Sequence, residues 1–411
     1  MPSPLDGVDL RRRVQQCLDA ELATQAAVLA ELGPDVDDLL HAVADLLRGG
    51  KRLRAAFLYW GHRAAGRPDS EALVRLASAM ELFQAAALIH DDVMDDSDTR
   101  RGMPAAHRAL ATRHTARGWA GDEDRFGLAG AVLAGNLCLT WTDAVYATCG
   151  LPEADLERGR EVFDRMRTQL MAGQFLDVVE SMRPWDGLPD DERVERAGRV
   201  IRYKSAKYTV EHPLLLGATT GGLDAAGLDA LSRYGLDLGR AFQLRDDLLG
   251  VFGDPGETGK PAGDDLREGK RTVLLAHALA GTDATGRSRV EALLGRPDLD
   301  AAQVDELRGI IDGSGAVRRL ETEIDALAAS AAAALERPAS LDGEARTALL
   351  DLVGIATSRS SGPATAFPPG ARTLGFVREM FWCEPEGSRP GRESWDGARR
   401  PPPSRGGAPR S

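Results

Sequence analysis

Apolar residues recur at helical spacing along almost the whole chain. Leu39-Leu40, Val43 and Leu46-Leu47 form one stripe, and Leu320, Ile324 and Leu327 form another. Such a repeat places apolar side chains on one face of a 3.6-residue helix. The Val/Ile/Thr alternation of half-buried strands is nearly absent, so the pattern predicts an all-α protein. Glycine and proline punctuate it at Gly49-Gly50, Gly66-Arg67-Pro68, Gly150-Leu151-Pro152, Pro184 to Pro189 and Gly253 to Gly263. No repeat of fixed period is visible.

Composition changes near Arg359. Residues 360–411 are rich in Pro, Gly and Arg and read as a mainly disordered tail, interrupted by the apolar piece Leu374 to Trp382. The organisation expected is a helical extension over 1–35, a main domain over 36–359 and the tail. A chain of 411 residues can build one large domain or two ordinary ones.

The net charge of −12, with no overall basic stripe, argues against nucleic acid as a partner and against anionic lipid. Cys17, Cys138, Cys149 and Cys383 have no metal-binding spacing, which points to a reducing cytoplasm. Residues 1–13 are charged and lack an apolar h-region, and no unbroken run of about 18 apolar residues occurs. The expectation is therefore a cytoplasmic protein without membrane insertion.

Two acidic clusters interrupt the apolar pattern. Asp91-Asp92-Val93-Met94-Asp95 follows the apolar run Leu82 to Ile89, and Asp246-Asp247-Leu248-Leu249-Gly250 follows Ala241 to Leu244. Carboxylates four residues apart on a helix have Cβ atoms about 5–6 Å apart and repel each other unless a cation lies between them. Mg²⁺ suits such a place because it shares itself between carboxylates and substrate phosphates. A solvated, charged helix end is the plainer reading of either cluster alone.

Basic residues supply the complement. Gly49-Gly50-Lys51-Arg52-Leu53-Arg54 sets two cations, Lys51 and Arg54, after a flexible glycine pair, as an anion site requires. Arg100-Arg101-Gly102 follows the first acidic cluster, and Gly253 to Lys260 is a Gly-rich loop ending in lysine. Gly173-Gln174-Phe175-Leu176-Asp177 and Lys204-Ser205-Ala206 carry polar groups that are non-specific alone.

Taken in order, these segments resemble the trans-type isoprenyl diphosphate synthases, the polyprenyl synthetase family, over roughly Leu39 to Ser358. The look is that of bacterial geranylgeranyl-type enzymes. The resemblance implies an all-α bundle of antiparallel helices around a deep central cavity, usually a homodimer, that joins isopentenyl diphosphate to an allylic diphosphate. It implies that Lys51, Arg54 and Arg101, with Gln84, hold isopentenyl diphosphate. Asp91, Asp95 and Asp246 would bind Mg²⁺, with three ions in the site. Arg100, Lys204 and Lys260 would complete the charge around the allylic diphosphate, with Ser205 and Gln243 supporting its reacting end. Two departures stand out. Ala55 replaces a frequent Pro, with some loss of helix start expected, and Gly250 replaces a frequent third Asp, leaving Asp246 nearly alone in the second metal site.

In this family, bulky residues just upstream of the first acidic motif shorten the product. Ala86 and Ala87 stand there, which implies a product of C20 or longer, with Leu133 or Leu137 on the facing segment Leu128 to Leu139 as a candidate floor. The alternatives are a farnesyl or longer-chain synthase, or a class I terpene cyclase. A cyclase needs no isopentenyl site, so Lys51, Arg54 and Arg101 argue against it.

Overall fold

The computed structural model describes residues 8–253, 263–336 and 338–357. It is all-α, as the periodicity predicts. The first four helices are α1 (Leu10–Ala30), α2 (Asp37–Leu47), α3 (Leu53–Ala64) and α4 (Glu71–Met94). A two-stranded hairpin follows, β1 (Thr99–Arg100) and β2 (Met103–Pro104), then α5 (Ala106–Ala116), α6 (Glu123–Thr148), α7 (Glu153–Met182) and α8 (Asp190–Val200). A π-helix (Ile201–Glu211) runs directly into α9 (His212–Gly221), which precedes α10 (Ala225–Phe252). The remaining helices are α11 (Asp264–Arg267), α12 (Val273–Gly281), α13 (Ala284–Leu293), α14 (Ala301–Gly313), α15 (Ala316–Ala334) and α16 (Gly343–Thr357).

Polar caps set many of these starts. Ser70, Asp122, Asp224, Thr272 and Asp283 each accept from a backbone N–H three residues on, and Asp300 forms a capping box with Gln303.

Two apolar cores result. The larger joins α1 to α7, α9, the first half of α10 and α16, around Phe57, Tyr59, Phe83, Phe163 and Tyr234. The smaller joins α8, the second half of α10 and α12 to α15, around Trp185, Leu244, Leu274 and Leu320. Helix α10 runs from one core into the other, and the second acidic cluster lies in its second half. Within the expected 1–35 extension, Leu10, Val14 and Leu18 of α1 are fully buried in the larger core. The 360–411 tail lies outside the described residues.

Glycines allow the closest helix contacts. A Cβ on Gly217 of α9 would come within 1.9 Å of the Leu58 carbonyl oxygen of α3, and one on Gly61 within 2.1 Å of the Leu214 oxygen. The π-helix is gripped in the same way: Gly173 of α7 abuts the Tyr203–Lys204 backbone, and Gly239 of α10 abuts Ala206. π-helical segments are rare and concentrate at functional sites.

By length and composition, α4 and α6 could each cross a membrane, although the sequence shows no unbroken apolar run. Helix α4 turns its apolar residues into the core. Helix α6 leaves Leu128, Val132 and Leu133 exposed.

Candidate active site

The first acidic cluster closes α4. Asp91 and Asp92 lie in the last turn and Asp95 caps it, its N–H donating to the Asp91 oxygen at 2.8 Å. A helix C-terminus carries partial negative charge, so acids there are placed against the helix dipole. Asp92 is 2 % exposed and accepts from Arg100, with Nε at 2.8 Å. Arg100 reaches it because Arg101 and Gly102, with φ of 54° and 72°, form a tight hairpin turn of the primed type.

Asp91 accepts from Gln174 Nε2 at 2.5 Å, Lys204 Nζ at 3.2 Å and Arg100 Nη2 at 3.5 Å. Burial works against its charge, but Lys204, Arg100 and Lys270 outweigh that and hold its carboxyl below the ordinary range. Asp95 behaves oppositely. Burial, and then the neighbouring Asp91, push its carboxyl up to about 6.

Lys204 projects from the π-helix and also reaches Asp177 Oδ2 at 2.5 Å. Gly173, Gln174 and Asp177 thus act together: the glycine admits the π-helix backbone, and the two polar side chains meet Asp91 and Lys204. Ser205 is half-buried beside Lys204.

The basic loop reaches the same end of the bundle. Arg52, in the left-handed conformation with φ of 54°, turns away into the core and pairs with Glu81 at 3.2 Å. Glu81 also accepts from the Ala55 N–H at 3.3 Å. A proline at 55 would lack that donor, and α3 begins at Leu53 regardless, so the expected loss of helix start does not occur. Lys51 precedes the helix, and Arg54 lies in its first turn. Burial lowers the Lys51 ammonium, and Asp246 is the charge opposing that shift, which brings the basic loop and the second acidic cluster together.

Arg54 donates to Thr209 Oγ1 at 2.8 Å and stacks 4.4 Å over the Tyr208 ring, whose hydroxyl donates to Gln84 at 2.7 Å. Arg101 donates to the Leu46 oxygen at 3.0 Å. Desolvation, and then the like charges of Arg52, Arg100 and Arg54, hold its guanidinium below its ordinary value, as in a site built for an anion.

On α10 the two acids of the second cluster diverge. Asp246 is exposed, while Asp247 is 5 % exposed and accepts from Gln243 at 2.8 Å. Gln243 therefore pairs with Asp247, not Asp246. Burial pushes the Asp247 carboxyl up to about 8. Lys270 lies between the clusters, paired with Asp265 at 3.2 Å and Glu268 at 2.6 Å and within the field of Asp95 and Asp91. Lys260 lies outside the described residues.

Ala86 is fully buried and Ala87 half-buried. Leu137 packs against the larger core, but Leu133 is 55 % exposed on the outer face of α6 and cannot floor a cavity within one subunit.

Among the described residues, no three His, Cys, Asp or Glu side chains form a ready-made metal cage. Hard carboxylate oxygens at Asp91, Asp95 and Asp246 nevertheless fit Mg²⁺, which typically takes one or two carboxylates and completes its shell from substrate phosphates and water. Sequence reasoning gave no role to Asp92, Asp177, Lys270 or Asp265. The run Glu268-Gly269-Lys270 was the visible signal for one of them.

Comparison with known proteins agrees with this geometry. A family model described as polyprenyl synthetase matches residues 36–311. A nonaprenyl diphosphate synthase from Mycobacterium tuberculosis is 32% identical over 352 residues, 84% of this chain and 91% of that protein. A geranylfarnesyl diphosphate synthase from Aeropyrum pernix is 30% identical, covering 76% of this chain and 92% of its own. Among solved structures, a geranylgeranyl pyrophosphate synthase from Corynebacterium glutamicum, complexed with isoprenyl diphosphate and magnesium, superimposes with a TM-score of 0.81. It is 38% identical and covers 85% of this chain and 99% of its own. With these relatives and a bundle that brings both acidic clusters and the basic loop to one end, the chain belongs to the polyprenyl synthetase family and is a trans-prenyl diphosphate synthase.

Proposed function

We propose that this protein condenses isopentenyl diphosphate with allylic diphosphates of C5 to C15 and releases geranylgeranyl diphosphate. The observation that carries this reading is the division of charge in the site. Asp91 and Asp95 face Lys204 and Lys270, with Arg100 beside Asp91, while Arg54 and Arg101 lie within each other's field and Lys51 lies toward Asp246. The first set suits an allylic diphosphate bound through Mg²⁺, with three ions per site. The second suits isopentenyl diphosphate, and a cyclase would have no use for it.

What magnesium supplies, when bound, is neutralisation of the leaving diphosphate as the allylic C–O bond ionises. Lys204 and Arg100 add fixed positive charge that needs no reorganisation during the reaction. Asp92 and Asp177 hold those two cations in place. Lys51, Arg54 and Arg101 hold the second substrate so that its double bond meets the allylic cation. Among the described residues no side chain stands out as a base, and the departing diphosphate is the group assigned to take the proton. Lys260 is assigned, with Lys204 and Arg100, to the charge around the allylic diphosphate, and Ser205 and Gln243 to its reacting end.

Two small residues, Ala86 and Ala87, support a product of C20. A longer product is the second reading, favoured by the nonaprenyl and geranylfarnesyl relatives. The exposed apolar residues Leu128, Val132 and Leu133 of α6 support assembly as a homodimer. Chromatography of the products formed from each allylic starter tests the assignment. A C20 end product from all starters supports it, and a dominant C15 or C45 product rejects it.

A further inference from the structure

Three aspartates from two segments converge on Arg108, in the first turn of α5. Its Nε donates to Asp98 Oδ1 at 2.8 Å, its Nη2 to Asp96 Oδ1 at 3.0 Å and its Nη1 to Asp124 Oδ1 at 3.2 Å. Every nitrogen of the fork is engaged, as only a guanidinium allows. Asp96 and Asp98 lie between α4 and the hairpin, and Asp124 lies in the first turn of α6. Burial works against the Arg108 charge, but the three carboxylates outweigh it and raise the guanidinium above its ordinary value. The carboxylates are exposed and Arg108 is half-buried, and ion pairs of that kind add little to global stability. Their consequence is therefore local.

The clasped segment joins two parts of the site, Asp95 at the end of α4 and Arg100-Arg101 on the hairpin. The chain reverses at Asp96, which is left-handed with φ of 53°. Ser97 N–H donates to the Asp92 oxygen at 3.0 Å, and Ala105 N–H donates to the Asp98 oxygen at 2.9 Å. Those bonds tie the segment to α4 and close the hairpin on itself. Arg108 adds the tie to α5 and α6. Arg100 has its own anchor in Asp92. Arg101 stands at the turn and reaches across to the Leu46 oxygen of α2, so its place depends on how the whole hairpin is directed.

We propose that Arg108 is a positioning residue for isopentenyl diphosphate: by clasping Asp96, Asp98 and Asp124 it directs the hairpin and delivers Arg101 to the basic loop. This rests on the prenyl diphosphate reading above.

The test is steady-state kinetics of the full chain with Mg²⁺, varying isopentenyl diphosphate and the allylic diphosphate in turn, with thermal unfolding as the folding control. Arg108→Gln is expected to raise the KM for isopentenyl diphosphate about 10-fold while the KM for the allylic diphosphate stays within about twofold. Its Tm should match the parent's. Asp96→Asn/Asp98→Asn is expected to show the same rise, and adding Arg108→Gln to that pair should raise KM no further, because all three changes open one clasp. An Arg108→Gln protein with an unchanged KM for isopentenyl diphosphate would overturn the proposal, as would one whose two KM values rise equally. So would an Asp96→Asn/Asp98→Asn protein whose KM for isopentenyl diphosphate is unchanged or lowered, since Arg108 would then meet the diphosphate itself. If the unaltered protein incorporates no isopentenyl diphosphate, the prenyl diphosphate reading fails, and this inference with it.

Discussion

Lys204 Nζ lies 3.2 Å from Asp91 Oδ1, joining the π-helix to the last turn of α4. Burial opposes the lysine's charge, but Asp91, Asp177 and Asp95 more than offset it and raise its pKa. The ammonium is therefore permanently charged beside the first acidic cluster. Replacing it with methionine keeps the stem and removes the charge. Steady-state kinetics of Lys204→Met should show kcat/KM reduced by about 10²–10³-fold, with an unchanged circular dichroism spectrum. A loss below tenfold would remove Lys204 from the reaction.

The buried Asp247 predicts an unusual pH dependence. Its carboxyl titrates near 8 in the folded chain, above the ordinary 3.8. The folded state thus holds a proton that the unfolded state has lost, and stability falls as pH rises between those values. Asp247→Asn abolishes this fall. In EDTA, the variant's advantage over the parent should be small near pH 4, the ordinary carboxyl range, and grow to several degrees near pH 8.5. An equal offset at both pH values would contradict the assignment.

Ala86 and Ala87 should respond differently to a large residue. Ala86 is fully buried in the larger core, so Ala86→Phe overpacks it and costs about 1–3 kcal/mol of stability. Ala87 is half-buried, and Ala87→Phe should shorten the product with a smaller stability loss. Product chromatography of Ala87→Phe decides: unchanged chain length ends the proposal that this position limits elongation.

Arg52 has no place in the chemistry despite sitting between Lys51 and Arg54. It is 4 % exposed and pairs with Glu81, which is 6 % exposed. Breaking a buried pair on one side costs about 3–5 kcal/mol. Denaturant unfolding of Arg52→Met should show a loss of that size, and a loss under about 1 kcal/mol would mean the pair is incidental.

These residues also show what a sequence reveals and what it hides. The helical period, the two acidic clusters and the order of the basic segments were legible, because each depends on spacing within a few residues. The partners were not. Nothing local says that Asp92 holds Arg100, that Asp177 holds Lys204, or that Asp265 sits over Gly250, since those contacts depend on how distant helices pack. The π-helix is hidden for a related reason: Ile201 to Glu211 reads as ordinary helix, and its register depends on close contact with Gly173 and Gly239. Leu133 was misplaced because apolar character alone does not tell an inward face from an outward one.

The central claim is that one site binds an allylic diphosphate and a second, basic site supplies isopentenyl diphosphate to it. Incubation with labelled isopentenyl diphosphate, an allylic diphosphate and Mg²⁺ tests it most directly. The account predicts that label enters a longer prenyl diphosphate, that EDTA abolishes the transfer, and that one diphosphate is released per condensation. Consumption of the allylic diphosphate with no label incorporated, whichever starter is used, would contradict it.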